Sequence, residues 1–135
     1  MANIINAQAG VGLTQTADGS GIVKLQSNGV TTNALAWVTF NGSTATIMAS
    51  YNVSSITRTA TGTYTIALAV SLSDANYSVV ATSGNKLSGG TAYGVVTVND
   101  NALTPSASGF GILVTNASTG ITWDLLRVGL VIFGN

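Results

Sequence analysis

The chain has 135 residues and no formal net charge, and 46% of it is hydrophobic against only 6% charged. A soluble domain carries about 25% charged residues, so Ser, Thr, Asn, Gly and Ala must supply most of this surface. The few charges (Lys24, Arg58, Lys86 and Arg127 against Asp18, Asp74, Asp100 and Asp124) are scattered, which leaves no concentrated basic face for a nucleic-acid partner.

Taken in order, residues 1–10 carry little pattern beyond Ile4 and Ile5 and read as an N-terminal arm that packs on a neighbour or stays mobile. The opening MANIINAQAGVG lacks a basic segment and a continuous apolar core, so it does not read as a signal peptide. Residues 11–135 read as a single β-domain, a size that buries roughly two-thirds of its unfolded surface. Leu13 with its neighbours and Ile22 to Ser27 form a hairpin across Asp18-Gly19, and Asn28-Gly29 marks the next reversal. In the strand Leu35 to Phe40, Leu35 and Trp37 face one way and Ala36, Val38 and Phe40 the other; both faces are apolar, which predicts a strand covered on both sides. Asn41-Gly42 suits the positive φ of a tight hairpin turn into Thr44 to Tyr51.

Val53 to Thr57 and Thr63 to Val70 form the next pair across Thr61-Gly62, with Tyr64, Ile66, Leu68 and Val70 on one face of the second strand. Ser73 to Asn76 is a polar turn before the strand Tyr77 to Thr82. The stretch SGNKLSGGT, residues 83 to 91, is long and Gly-rich for a hairpin connection and reads as an exposed loop. Strands follow at Tyr93 to Val98, Phe110 to Thr115 and Thr122 to Phe133, the last apolar on both faces. The apolar run Val128 to Phe133 is far short of the ~20 residues a membrane helix needs, and no segment keeps a helical period for three turns. The expected fold is an all-β, antiparallel β-sandwich, jelly-roll-like or barrel-like.

Chemistry has little to stand on. The chain has no Cys, no His and no Glu, which removes disulfides, thiolate sites and the commonest general base. Asp18, Asp74 and Asp100 each sit where a turn uses Asp for a backbone hydrogen bond. Asp124 sits inside the last strand beside Trp123, where an inter-strand or inter-subunit pair with Arg127 is the expected, structural role. Asn99-Asp100-Asn101 has calcium-type oxygens, but three consecutive residues point different ways, so a turn is expected. Trp37 and Trp123 are of the type that stacks on sugars, yet their apolar flanks favour a core or interface place. No catalytic residue, metal site or cofactor is expected.

The low charge also bears on assembly. Charge is the usual guard on open strand edges, so a neutral β-domain points to a permanent oligomer; the competing reading is a monomer with short edges and many Thr and Ser. The stretch AWVTFNGSTATIMASYNVSSITRTATGTYTIALAVSLSDANYSVVATSG, Ala36 to Gly84, resembles the C-terminal domains of bacteriophage tail fibres and related small virion proteins, as do TADGSGIVKLQSNGV before it and LRVGLVIFGN at the end. The resemblance implies a β-rich, trimeric module on a virion, often at the tip that meets the host surface, with no shared catalytic residues. The expectation is therefore a homotrimeric virion protein made in the host cytoplasm, with neither nucleic-acid binding nor membrane insertion. It would attach to a host glycan or protein receptor through exposed loops, the candidate contacts being Asn85, Lys86, Ser88 and Thr91. The alternative is a capsid decoration or tail-assembly protein bound to other virion proteins.

Overall fold

The computed structural model describes residues 25–27, 30–84 and 94–134; the expected N-terminal arm and the first hairpin turn lie outside them. Two short strands, β1 (Gln26–Ser27) and β2 (Val30–Thr31), pair with each other. Eight more follow: β3 (Ala36–Asn41), β4 (Thr46–Tyr51), β5 (Val53–Ala60), β6 (Thr63–Leu68), β7 (Ser78–Ser83), β8 (Gly94–Val98), β9 (Gly109–Asn116) and β10 (Val128–Phe133). They form two four-stranded antiparallel sheets, sheet I in the order β4-β3-β10-β7 and sheet II in the order β5-β6-β9-β8. The molecule is an all-β antiparallel sandwich, as its period-two patterns require.

Alternation decides the core. Ala36, Val38 and Phe40 of β3 and Val128, Leu130 and Ile132 of β10 are buried on the inner face of sheet I. Opposite them lie Tyr64, Ile66 and Leu68 of β6 and Phe110, Ile112 and Val114 of β9. Each of the buried Val, Leu, Ile and Phe side chains contributes about 1.5–3 kcal/mol by leaving water. Two aromatic pairs bridge the elements: Phe40 meets Tyr64 edge-on at 5.2 Å, and Tyr77 meets Phe110 at 5.7 Å.

The first switch from sheet I to sheet II is made at Asn52, between β4 and β5. It holds a left-handed φ of 56°, which Asn tolerates better than most residues. Its amide then ties the corner down: Oδ1 accepts from the Val70 N–H at 2.7 Å, and Nδ2 donates to the Leu35 and Val70 carbonyls. The Asn52 carbonyl also accepts from the Ala69 N–H, which is why β6 stops at Leu68 rather than running to Val70.

Three further expectations are corrected. The last strand begins at Val128, not Thr122, because residues 123–125 bond to other partners: the Trp123 N–H to Val114, and the Leu125 carbonyl to the Gly42 N–H. Gly42 is needed for close approach and not for φ; a Cβ there would stand 2.6 Å from the Leu125 carbonyl oxygen, and the positive φ of that turn falls on Ala45. At Thr61-Gly62 the expectation holds, with Gly62 at φ 68° in a two-residue turn. Finally, the outer face of sheet I is not covered by the described chain: Trp37 is 38% exposed, Val80 55% and Phe133 37%.

Candidate functional site

Antiparallel pairing sorts the connections to two ends of the sandwich. At one end lie residues 42–45 between β3 and β4, 61–62 between β5 and β6, and 117–127 between β9 and β10. The connection from β7 to β8 leaves and returns at the same end, so its described flanks, Gly84 and Gly94, belong to this group. The candidate contacts Asn85, Lys86, Ser88 and Thr91 lie outside the described residues. Their flanks are pinned: Ser83 Oγ donates to the Gly94 carbonyl at 2.6 Å, and the Gly84 N–H donates to the Arg127 carbonyl at 2.6 Å.

Asp124 organises this end. Its Oδ1 accepts from the Tyr64 hydroxyl at 2.6 Å and from the Gly62 N–H at 2.9 Å. Arg58 closes a fork on the same carboxylate, with Nε 3.0 Å from both oxygens and an Nη 2.7 Å from Oδ2. That fork is the strong, planar form of ion pair. Arg58 also reaches the Thr61 hydroxyl at 3.0 Å, and Tyr64 Oη lies 3.0 Å from the Gly42 carbonyl. One carboxylate therefore joins the tip of the β5–β6 hairpin, the floor of the β3–β4 turn and the connection into β10.

Electrostatics agree with a clamp. Burial opposes ionisation of Asp124, but bonds from Arg58, Gly62 and Tyr64 outweigh it and hold the carboxyl at about 2, below its ordinary 3.8. Burial, and then the bond to Asp124, push the Tyr64 phenol above its usual range. The bond to Asp124 raises Arg58 further. With its bonds made and its proton gone at neutral pH, Asp124 is poorly suited to act as a general acid or base. Within the chain Arg127 does not pair with it; Arg58 does, from 66 residues away. Among the described residues no group of three or more acidic, His or Cys side chains is placed to hold a metal ion. Asp74 takes its expected turn role, accepting from the Asn76 N–H at 2.7 Å.

A second feature is the outer face of sheet I. Trp37, Val131 and Val80 stand in register across three strands, and Thr39, Gly129 and Thr82 form the next row. Gly129 leaves a shallow groove of about 200 Å³ between these rows. The four strands of this sheet contain no Lys, Arg, Asp or Glu. The outer rows of sheet II mix Thr57, Thr63, Thr65 and Thr97 with Leu113 and the exposed Val95. The sequence placed Trp37 in a core or interface, and within the single chain the core excludes it. Trp123, by contrast, is partly buried and packs against the core. No protein-family model, curated protein or solved structure matches the chain.

Proposed function

We propose that this chain is a non-catalytic bacteriophage virion module, tail-fibre-like and trimeric, that attaches to the host surface through the connections at one end of its sandwich. The observation that carries the reading is the clamped loop end. Arg58, Asp124 and Tyr64 fix three connections on a rigid sandwich, and the flanks of the fourth, Gly84 and Gly94, are tied beside them. A rigid scaffold that gathers loops at one end is how β-sandwiches present binding residues. The clamp itself is saturated, which suits presentation better than chemistry. The sequence resemblance of residues 36–84 to fibre C-terminal domains supports the same reading, and Lys86 in the 83–91 loop remains the contact to test first.

The alternative role, a capsid decoration or tail-assembly protein, draws on the uncharged outer face of sheet I, which suits a protein partner. One experiment separates the two. Antibody raised to the purified chain is applied to the phage that encodes it. The attachment reading predicts label at the fibre tips and blocked adsorption, and blocking is relieved when the antibody is pre-absorbed with wild-type chain. Label over the head or tail body with normal adsorption contradicts attachment and selects the alternative. A virion with no label contradicts both.

A further inference from the structure

Resting on the attachment reading above, we infer that the loop end takes an anionic surface glycan, one bearing carboxylate or phosphate groups, and that Arg127 supplies the charge that holds it. The fold sorts the described charges by end. Arg58, Asp124 and Arg127 lie at the loop end, whereas Asp74 and Asp100 lie in the connections at the opposite end, 69–77 between β6 and β7 and 99–108 between β8 and β9. Those two connections meet where the Leu72 N–H donates to the Ala107 carbonyl at 2.9 Å. Strands of 6 residues hold the two ends about 20 Å apart, against a screening length of about 8 Å at physiological salt. The distant carboxylates therefore do not cancel the field at the loop end.

At that end one cation is left over. The Asp124 carboxylate is filled by Arg58, the Gly62 N–H and the Tyr64 hydroxyl. Among the described residues the Arg127 side chain is exposed and has no hydrogen-bond or ion-pair partner. The connection 85–93 beside it contains no Asp or Glu to neutralise it. Its backbone is nonetheless fixed. The Arg127 carbonyl accepts from the Gly84 N–H at 2.6 Å, and the next residue, Val128, is buried and paired with both Phe40 and Ser83. Gly84 gives the side chain its room, since a Cβ there would stand 3.1 Å from the Arg127 Cβ. A chain this poor in charge thus holds an unpaired arginine on a pinned backbone, at the end that gathers its connections. A guanidinium so placed is fitted to carboxylate or phosphate oxygens from outside. Arg58 adds donors without net charge: its contacts use Nε and one Nη, which leaves the N–H groups of the other Nη unengaged among the described residues. The step from Asp124 to Arg127 spans at most roughly 11 Å, a reach that lets both guanidiniums meet acidic groups along one polymer.

The test measures binding of the labelled full chain to cells of the phage's host, with folding checked by circular dichroism. Wild type is expected to bind, and to bind more weakly as salt is raised. Arg127→Gln should bind about tenfold more weakly and lose most of that salt dependence, since a hydrogen bond to a charged group is worth at least that factor. Arg127→Lys should recover part of the loss, and Asp100→Asn, at the far end, should match wild type. Soluble competitors then name the acid: neutral dextran, carboxymethyl-dextran and dextran phosphate. Competition by either acidic polymer supports the inference and identifies its carboxylate or phosphate; no competition beyond that of neutral dextran overturns an anionic ligand. Equal binding of wild type and folded Arg127→Gln, at low and high salt alike, overturns the inference and leaves attachment standing. A wild-type chain that binds no host cell overturns the attachment reading itself. If Arg127→Gln does not fold, the salt series and the competitors decide.

Discussion

Replacing Asp124 tests whether one carboxylate holds the loop end together. Its pKa falls from 3.8 to about 2 on folding. Each unit corresponds to about 1.4 kcal/mol, and allowing for solvent screening of the partly exposed Arg58 the charge contributes about 1–2 kcal/mol. Asp124→Asn should lose about that much. Asp124→Ala also strips an acceptor from the Gly62 N–H and the Tyr64 hydroxyl, and a part-buried donor left unpaired costs about 1–3 kcal/mol. Tyr64 can turn to the Gly42 carbonyl at 3.0 Å, which places the alanine variant near a total loss of about 3 kcal/mol, or roughly 10 °C in melting temperature. The assay is urea unfolding at one fixed chain concentration, since self-assembly of the proposed kind would make stability depend on it. The pH dependence supplies the independent check. The folded-state pKa is depressed, so the charge contribution is complete above about 4 and is lost as pH falls through about 2. Wild type and Asp124→Asn should converge across that interval. Equal stability of the two at pH 7, or a constant gap between pH 4 and 2, would refute the clamp.

Other substitutions probe single links. Tyr64→Phe keeps the edge-on contact with Phe40 but removes the buried hydroxyl, and chemical denaturation should show a loss of about 1–2 kcal/mol. Asn52→Ala removes three side-chain bonds and puts a residue less tolerant of a left-handed φ at the corner; a loss of about 2–3 kcal/mol is expected, seen as a lower urea midpoint. Gly109→Ala sets a methyl 2.3 Å from the Ile66 carbonyl oxygen; because backbone cannot swing aside, soluble yield and strand signal should fall sharply. Leu130→Ala empties a buried position between the sheets and should cost about 2–5 kcal/mol by the same unfolding assay.

Much of this architecture was legible in the sequence because period-two alternation is a local property. Tyr64, Ile66 and Leu68 declared the inner face of β6, and Thr61-Gly62 its turn, without any knowledge of the partner strand. The errors came where distant residues decide. Asp124 reads as a strand residue with Arg127 three places on, and nothing local announces that Arg58 in another hairpin will claim it. Gly42 reads as a turn glycine, while its need for a bare Cα comes from Leu125 and Tyr64, brought there by tertiary packing. Trp37 and Phe133 signalled a second covered face that the described chain does not cover; the hydrophobic pattern reports burial without saying by whom. The loop contacts Asn85, Lys86, Ser88 and Thr91 rest on composition alone, and the structure adds only where their flanks are held.

The measurement that bears most directly on the account is the solution mass of the full chain at low micromolar concentration. The trimeric reading proposed above predicts a single species at three times the 13.5 kDa chain mass, stable to dilution. A clean monomer under the same conditions would contradict it and leave short edges and many Thr and Ser as the guard on the open strands.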